Sequence, residues 1–195
     1  MRVSVLIATY GSEEWRELAW SRAYPSAAAQ TEDVQVFHDP EGTIASVRNE
    51  LGNTATGDWL LMLDADDELA PGYLGAMERA AEREGHDGNL LLTPAVNIKG
   101  RFWREGPIEE TNWLVIGTLV RRETFLKVGG FRDYPHGWDD WALWVKCVQA
   151  GARIVKVPDA VYIAHRNSES KKNVSWRDSK WQVETHNRIA NELFG

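Results

Sequence analysis

The sequence predicts an α/β fold: a mixed, mainly parallel sheet with helices on both faces. Three observations predict it. Residues 3–8 (VSVLIA), 34–37 (VQVF) and 59–63 (WLLML) are short runs rich in apolar or β-branched side chains, the pattern of buried strands. A stretch with helical character follows each of them. Gly and Pro punctuate the joins, at Gly11, Pro40, Gly42, Gly57 and Pro71. Strand and helix alternating in this order imply parallel pairing with right-handed helical crossovers.

The elements follow in turn. Thr9-Tyr10-Gly11 breaks the first strand, and Ser12 caps a helix whose first turn carries Glu13 and Glu14. That helix is expected to run towards Arg22 and to stop before Pro25, because a proline pushes the residue before it out of helical geometry. The second strand ends at His38-Asp39-Pro40. After Gly42, the residues Ile44, Val47 and Leu51 recur at helical spacing. The third strand runs straight into Asp64, Asp66, Asp67 and Glu68. Pro71 opens the next helix, with Leu74, Met77 and Ala81 as its apolar stripe.

The second half is more mixed. Residues 89–98 read as a strand that turns at Lys99-Gly100, and 112–120 as another. Residues 121–131 (RRETFLKVGGF) read as a short helix closed by Gly129-Gly130. Trp141, Trp144, Val145 and Val148 lie at helical spacing, and Gly151 ends that helix. Residues 160–164 form a last strand reaching His165. The polar stretch RNSESKKN reads as a loop, and a helix capped by Ser175 runs to Phe194.

The 195 residues suffice for one sizeable core. A net charge of -7 argues against non-specific nucleic-acid binding, which draws on basic surface. The single cysteine, Cys147, excludes an internal disulfide and fits a reducing, cytoplasmic setting; it reads as a small buried residue. No apolar run is long enough to span a bilayer, and the N-terminus lacks a signal-peptide pattern. Ten tryptophans stand out. Trp103, Trp113, Trp138, Trp141 and Trp144 crowd the second half; most read as core, and a few as aromatic faces for a ligand.

In a parallel sheet, ligands bind beyond the carboxyl ends of the strands. Thr9-Tyr10-Gly11, His38-Asp39 and Asp64 to Asp67 all fall there. Asp64 and Asp66 can present two oxygens to one hard cation such as Mg²⁺ or Mn²⁺, which combines carboxylates with substrate phosphates and water. Without a metal, carboxylates this close raise one another's pKa. The residues alone leave two readings open: a metal-diphosphate site, or a solvated acidic turn leading the Pro71 helix. Asp64 and Asp66 have the ligand spacing; Asp67 and Glu68 read as helix-leading charge.

Taken in order, five features resemble glycosyltransferase family 2 over roughly residues 2–170: the strand VSVLIATY, Gly42 with Arg48-Asn49, the strand end LDADD, Gly129-Gly130-Phe131, and Asp139-Asp140 before Trp141-Ala142-Leu143-Trp144. The resemblance implies a GT-A (Rossmann-like) fold and a soluble, inverting enzyme of hexosyltransferase type. Such an enzyme moves one sugar from a nucleotide-sugar, here expected to be a UDP-sugar, with Mn²⁺ or Mg²⁺ as cofactor. By the same resemblance Thr9, Tyr10, Asp39, Gly42, Arg48, Asp64 and Ala65 would bind the nucleotide-sugar. Asp66, Asp64 and His165 would hold the metal. Asp140, with Asp139 beside it, would deprotonate the acceptor hydroxyl, and Trp113, Trp138 and Trp141 would line the acceptor side.

One domain is expected over 1–195: a donor and metal half (1–98), an acceptor half (99–170) and a tail helix (171–195). Two departures from the family pattern are visible. The usual Glu-Asp pair reads Asp139-Asp140, and the usual Asp-Asp-Gly-Ser loop reads His38-Asp39-Pro40-Glu41-Gly42. Two other functions stay open: a nucleotidyltransferase of related fold, although its Gly-rich basic loop is missing, and a non-catalytic carbohydrate-binding or assembly protein. No acceptor class is named by the residues. Arg166, Lys171, Lys172 and Arg177 would suit a phosphate-bearing acceptor or simply a solvated face.

Overall fold

β1 (Val3–Tyr10) is the expected first strand, but it continues through Thr9 and Tyr10 instead of breaking there. Those two residues pair with His38 and Asp39 of β2 (Val34–Asp39), so the ladder holds them in extended backbone. The break comes at Gly11, whose φ of 69° suits glycine. The computed structural model describes residues 1–85, 88–102, 105–134, 137–165 and 179–194. Trp103, the loop RNSESKKN, Ser175 and the cations Arg166, Lys171, Lys172 and Arg177 lie outside the described residues.

Five more strands complete one sheet: β3 (Trp59–Leu63), β4 (Glu68–Leu69), β5 (Leu90–Val96), β6 (Leu119–Arg121) and β7 (Arg153–Ile163). Their order is β2-β1-β3-β6-β5-β7-β4. β1 runs parallel to β2 and β3, and β5 parallel to β7. β6 is antiparallel to both β3 and β5, and β4 is antiparallel to β7. The fold is α/β as expected, but the sheet is evenly mixed, with β6 joining two parallel sets. β3 is buried along its whole length, so both faces of the sheet are covered there.

Among the helices, α1 (Glu13–Leu18) is capped by Ser12, which accepts from the Glu14 amide. It does not end before Pro25. A π-helical segment, Ala19–Ala23, leads without a break in helical backbone into α2 (Tyr24–Ala28), whose second residue is Pro25. α3 (Ile44–Thr54) starts in a capping box between Thr43 and Ser46. α4 (Tyr73–Glu84), α5 (Arg122–Lys127) and α6 (Asp139–Gln149) follow, and α7 (Ser179–Phe194) closes the chain. α7 packs onto α6: His186 stacks on Trp141 with centroids 4.6 Å apart, and Gln149 donates to the Leu193 carbonyl at 2.8 Å. Among the described residues, no helix is long and apolar enough to cross a membrane.

The expected strand over 112–120 shrinks to β6. The apolar run before it is buried, at Trp113, Leu114 and Ile116, without joining the ladder. Gly117 is pinned between two tyrosines instead: Tyr73 donates to its carbonyl at 2.6 Å, and the Tyr162 ring occupies the space a β-carbon would need. The last strand is longer than expected, because Lys156, Pro158 and Asp159 mask its pattern, and its pairing with β5 shifts register at Pro94/Ala95. The 97–101 turn forms as expected, with the Val96 amide bonded to the Arg101 carbonyl at 2.8 Å.

A side-chain clamp on α3 helps tie the two halves of the chain. The Asn49 side chain on α3 donates to the Phe131 carbonyl at 2.9 Å and accepts from the Phe131 amide at 2.8 Å. A β-carbon at Gly130 would overlap the Asn49 carbonyl oxygen, so Gly129-Gly130 closes α5 and also admits the amide. Asn49→Ala leaves two part-buried backbone groups without partners and should cost about 2 kcal/mol in equilibrium unfolding. A loss within about 0.5 kcal/mol, the range of ordinary surface changes, would contradict this clamp.

Candidate functional site

The acidic loop leaves β3 beside β1 and returns through β4. A turn closes it, with the Asp67 amide donating to the Asp64 carbonyl at 3.1 Å. Asp67 is buried, and both of its oxygens are used: Tyr162 donates to one at 2.8 Å, and the His165 amide to the other at 2.8 Å. Asp67 and Glu68 are therefore not helix-leading charge. α4 begins only at Tyr73, and these two acids fasten the loop to the end of β7. Glu68 reaches the His165 ring nitrogen Nε2 at 2.6 Å. His165 thus stands beside the acidic loop, with its main chain on Asp67 and its ring on Glu68.

Oxygens of Asp64, Asp66 and Asp67 lie within 4.8 Å of one another. Burial and the neighbouring Asp64 raise the Asp66 carboxyl above its ordinary value. The same two causes push Asp67 up to about 7. Oxygen-only ligands that repel one another at this range fit a hard divalent cation, which would relieve the repulsion.

Arg48 on α3 is the buried cation of the site, 7% exposed. Its guanidinium donates to Asp64 Oδ1 at 2.7 Å and, with another nitrogen, to Asp139 Oδ2. It also lies over the Phe131 ring, 5.1 Å from the centroid. Burial opposes its charge, but Asp139, Asp64 and Asp140 outweigh that and raise its pKa. Asp139 is raised mainly by its own burial, against the pull of Arg48. Arg48 therefore spends its donors on two carboxylates, one from each half of the chain.

Asp139 and Asp140 form the first turn of α6. Gly137 and Trp138, at φ 93° and 73°, swing the chain into that helix, and the Trp138 side chain makes no capping bond. Asp140 Oδ1 accepts from the Trp141 amide at 2.8 Å and from Asn112 at 3.2 Å. The tryptophans divide. Trp141 is fully buried: its indole donates to the Ile108 carbonyl at 2.6 Å, and His186 and Trp138 cover its ring. Trp113 is buried too. Neither offers an open face to a sugar, which corrects that expectation; Trp138 is only partly buried.

Thr9 is buried on β1 with its hydroxyl 3.0 Å from His38 Nδ1, and Tyr10 stands beside Asp39 in the β1–β2 register. Asp39 folds back over its own turn, accepting from the Glu41 amide at 3.0 Å. A β-carbon at Gly42 would press on that carboxylate, which would have to turn away to admit one. Ala65 is buried between the first two loop acids. Thr9, Tyr10 and Asp39 thus lie at the carboxyl ends of β1 and β2, and Asp64 and Ala65 just beyond β3. Sequence reading missed Tyr162 and Asn112, which carry no pattern of their own. It also missed Arg22, whose guanidinium donates to the Asp66 carbonyl at 2.9 Å.

Comparison with known proteins bears on this arrangement. A family model described as glycosyl transferase family 2 matches residues 18–136, more than half of the chain. The chain belongs to glycosyl transferase family 2. No curated protein matches it. Solved structures of Staphylococcus aureus TarS do resemble this family-2 domain. The TarS 1-349 complex with UDP-GlcNAc superposes with a TM-score of 0.74 at 15% identity, over 98% of this chain and 66% of that one. The complex of the same fragment with UDP gives 0.66 at 17% identity, over 99% of this chain and 70% of that one. A longer TarS structure gives 0.65 at 16% identity, over 99% of this chain but 43% of that one. At such identities the likeness is one of fold, and it makes this a GT-A-like α/β domain that spans about two thirds of the 1-349 fragment.

The Asp67 carboxyl of the family-2 domain sets a pH dependence. Its folded pKa is raised from 3.8 to about 7. Between those values the folded state keeps a proton that the unfolded chain has released, so metal-free stability falls as pH rises through that window. The fall should be on the order of 2 kcal/mol, and Asp67→Asn should flatten it. Urea unfolding at pH 5 and pH 7.5 in chelator measures both slopes; equal slopes in the two proteins would contradict the assignment.

Proposed function

We propose that the domain is a metal-assisted, inverting glycosyltransferase that moves a sugar from a UDP-sugar to an acceptor hydroxyl. The observation that carries this is the convergence of two carboxylate groups in a family-2 fold. Asp64, Asp66 and Asp67 cluster beyond β3, and Asp139-Asp140 on α6 is tied to them through Arg48. The solved relatives in complex with UDP and UDP-GlcNAc support a uridine diphosphate donor.

In this reading Tyr10, Thr9 and Asp39 line the base side, over the ends of β1 and β2. Asp66 and Asp64 would hold the cation, with Asp67 as the loop's anchor; His165, expected as a further ligand, has its amide on Asp67 and its ring on Glu68 instead. A divalent cation held there, Mn²⁺ or Mg²⁺, supplies charge neutralisation to the diphosphate as it leaves. Asp140 takes the proton from the acceptor hydroxyl, and the oxygen then attacks the anomeric carbon opposite the departing diphosphate, inverting that centre. Its Oδ1 bonds to Asn112 and the Trp141 amide fix the carboxylate's rotation. Asp139, engaged by Arg48, keeps α6 in register with the donor loop. Residues 1–98 form the donor half and 99–170 the acceptor half.

Calorimetry with UDP tests the donor side. Binding should require Mn²⁺ or Mg²⁺, and Asp66→Asn should weaken it at least about 10-fold; metal-independent or absent binding would overturn the reading. Asp140→Asn should bind UDP as wild type does while losing roughly 10²-fold or more in turnover of the UDP-sugar. Unchanged turnover would move the base elsewhere.

A further inference from the structure

The segment after β1 is a single helical rod, from Glu13 through the π segment to Ala28. Two stripes run along it at intervals of four residues. Ala19, Ala23 and Ala27 are fully buried. Their small side chains let the rod lie close against its neighbours. The second stripe is Arg22, Ser26 and, just past the helix end, Gln30; Arg22 bonds to the acidic loop, and the other two bond to the chain that follows it.

Arg22 donates to the Asp66 carbonyl at 2.9 Å. Ser26 Oγ accepts from the Leu69 amide at 3.1 Å. Gln30 donates to the Ala70 carbonyl at 3.3 Å and accepts from the Leu74 amide at 3.0 Å. The short Ser26 side chain reaches a backbone amide only because the alanine stripe brings the rod near. Residues 66–74 are thereby read in order by one face of one rod. The π turn falls at Arg22, the member of the stripe that serves the acidic cluster, where an extra residue per turn re-aims a side chain.

We propose that Arg22 is a positioning residue of the metal loop, fixing Asp66 as a ligand by holding its carbonyl, while Ser26 and Gln30 brace only the chain after the loop. The proposal rests on the metal reading of the acidic cluster given above. Arg48 holds the loop at Asp64 and Tyr162 holds it at Asp67, which leaves Asp66 between two fixed points. Arg22 supplies the third hold. Its charge also offsets the repulsion between Asp66 and Asp64 before a cation arrives. Outer partners of this kind typically govern metal affinity by 10- to 100-fold.

The test is Mn²⁺ binding to the whole chain, followed by calorimetry or electron paramagnetic resonance with no nucleotide or acceptor present. Arg22→Ala should weaken Mn²⁺ about 10-fold and speed hydrogen exchange at the Asp66 and Asp67 amides. Arg22→Lys, which keeps the charge and one donor, should recover to within about threefold of wild type. Gln30→Ala, which loosens the far end of the brace, should lower the unfolding midpoint and leave Mn²⁺ affinity within about twofold. Wild-type binding with Arg22→Ala unchanged would overturn this inference alone. So would equal losses in Arg22→Ala and Gln30→Ala, which would mark a merely structural role. If wild type binds no Mn²⁺, the metal reading fails and this inference falls with it. Should Arg22→Ala fail to fold, Arg22→Lys and Arg22→Gln decide the matter: affinity in both equal to wild type would overturn the positioning role.

Discussion

The site depends on one buried cation. Arg48 sits at 7% exposure between Asp64 and Asp139, residues that come from opposite halves of the chain. Moving a guanidinium out of water is expensive, and only carboxylates in good geometry offset it. That requirement runs both ways. Asp139 is buried and raised by burial, so it needs Arg48 as much as Arg48 needs it. The arrangement fixes the distance between the loop after β3 and the start of α6.

Around that cation the fold supplies stiffness by ordinary means. β3 is buried on both faces and delivers the loop from a rigid strand. β7 returns Tyr162 and the His165 amide to Asp67, and α3 carries both Arg48 and the Asn49 clamp on adjacent residues. α6 is anchored by Trp141 against Ile108 and by α7 from outside. Arg48 on α3 thus holds both Asp64 and Asp139, Tyr162 and the His165 amide hold Asp67, and Asn112 holds Asp140. A cluster left to mutual repulsion would open; this one is held closed from outside.

The first ninety residues were largely legible because their strands and helices are amphipathic or continuously apolar, and those patterns report burial directly. Direction of pairing was not legible. The apolar pattern of β6 is the same whether its neighbours run parallel or antiparallel, so the evenly mixed sheet had to be seen. Burial also misled where it occurs without a ladder, as in the run from Trp113 to Ile116, and Trp141 looked like a ligand face until its covering by His186 was visible. Pro25 was read as a stop because a π turn leaves no plain signature. Spacing marks Asp64 and Asp66 in the sequence, and the resemblance to family 2 marks Asp139 and Asp140. Their partners Tyr162, Asn112 and Arg22 are unmarked, since a hydrogen bond between distant residues leaves no trace in local sequence.

Arg48 couples the loop after β3 to α6 through two carboxylates. Equilibrium unfolding of Arg48→Met in metal-free protein tests that coupling most directly, with Asp139→Leu alone and the double variant completing the cycle. The account predicts a loss of about 3–5 kcal/mol for Arg48→Met, much of it recovered when Asp139 is also replaced. A loss under about 1 kcal/mol, or two single effects that simply add, would show that the pair is not the coupling it is taken to be.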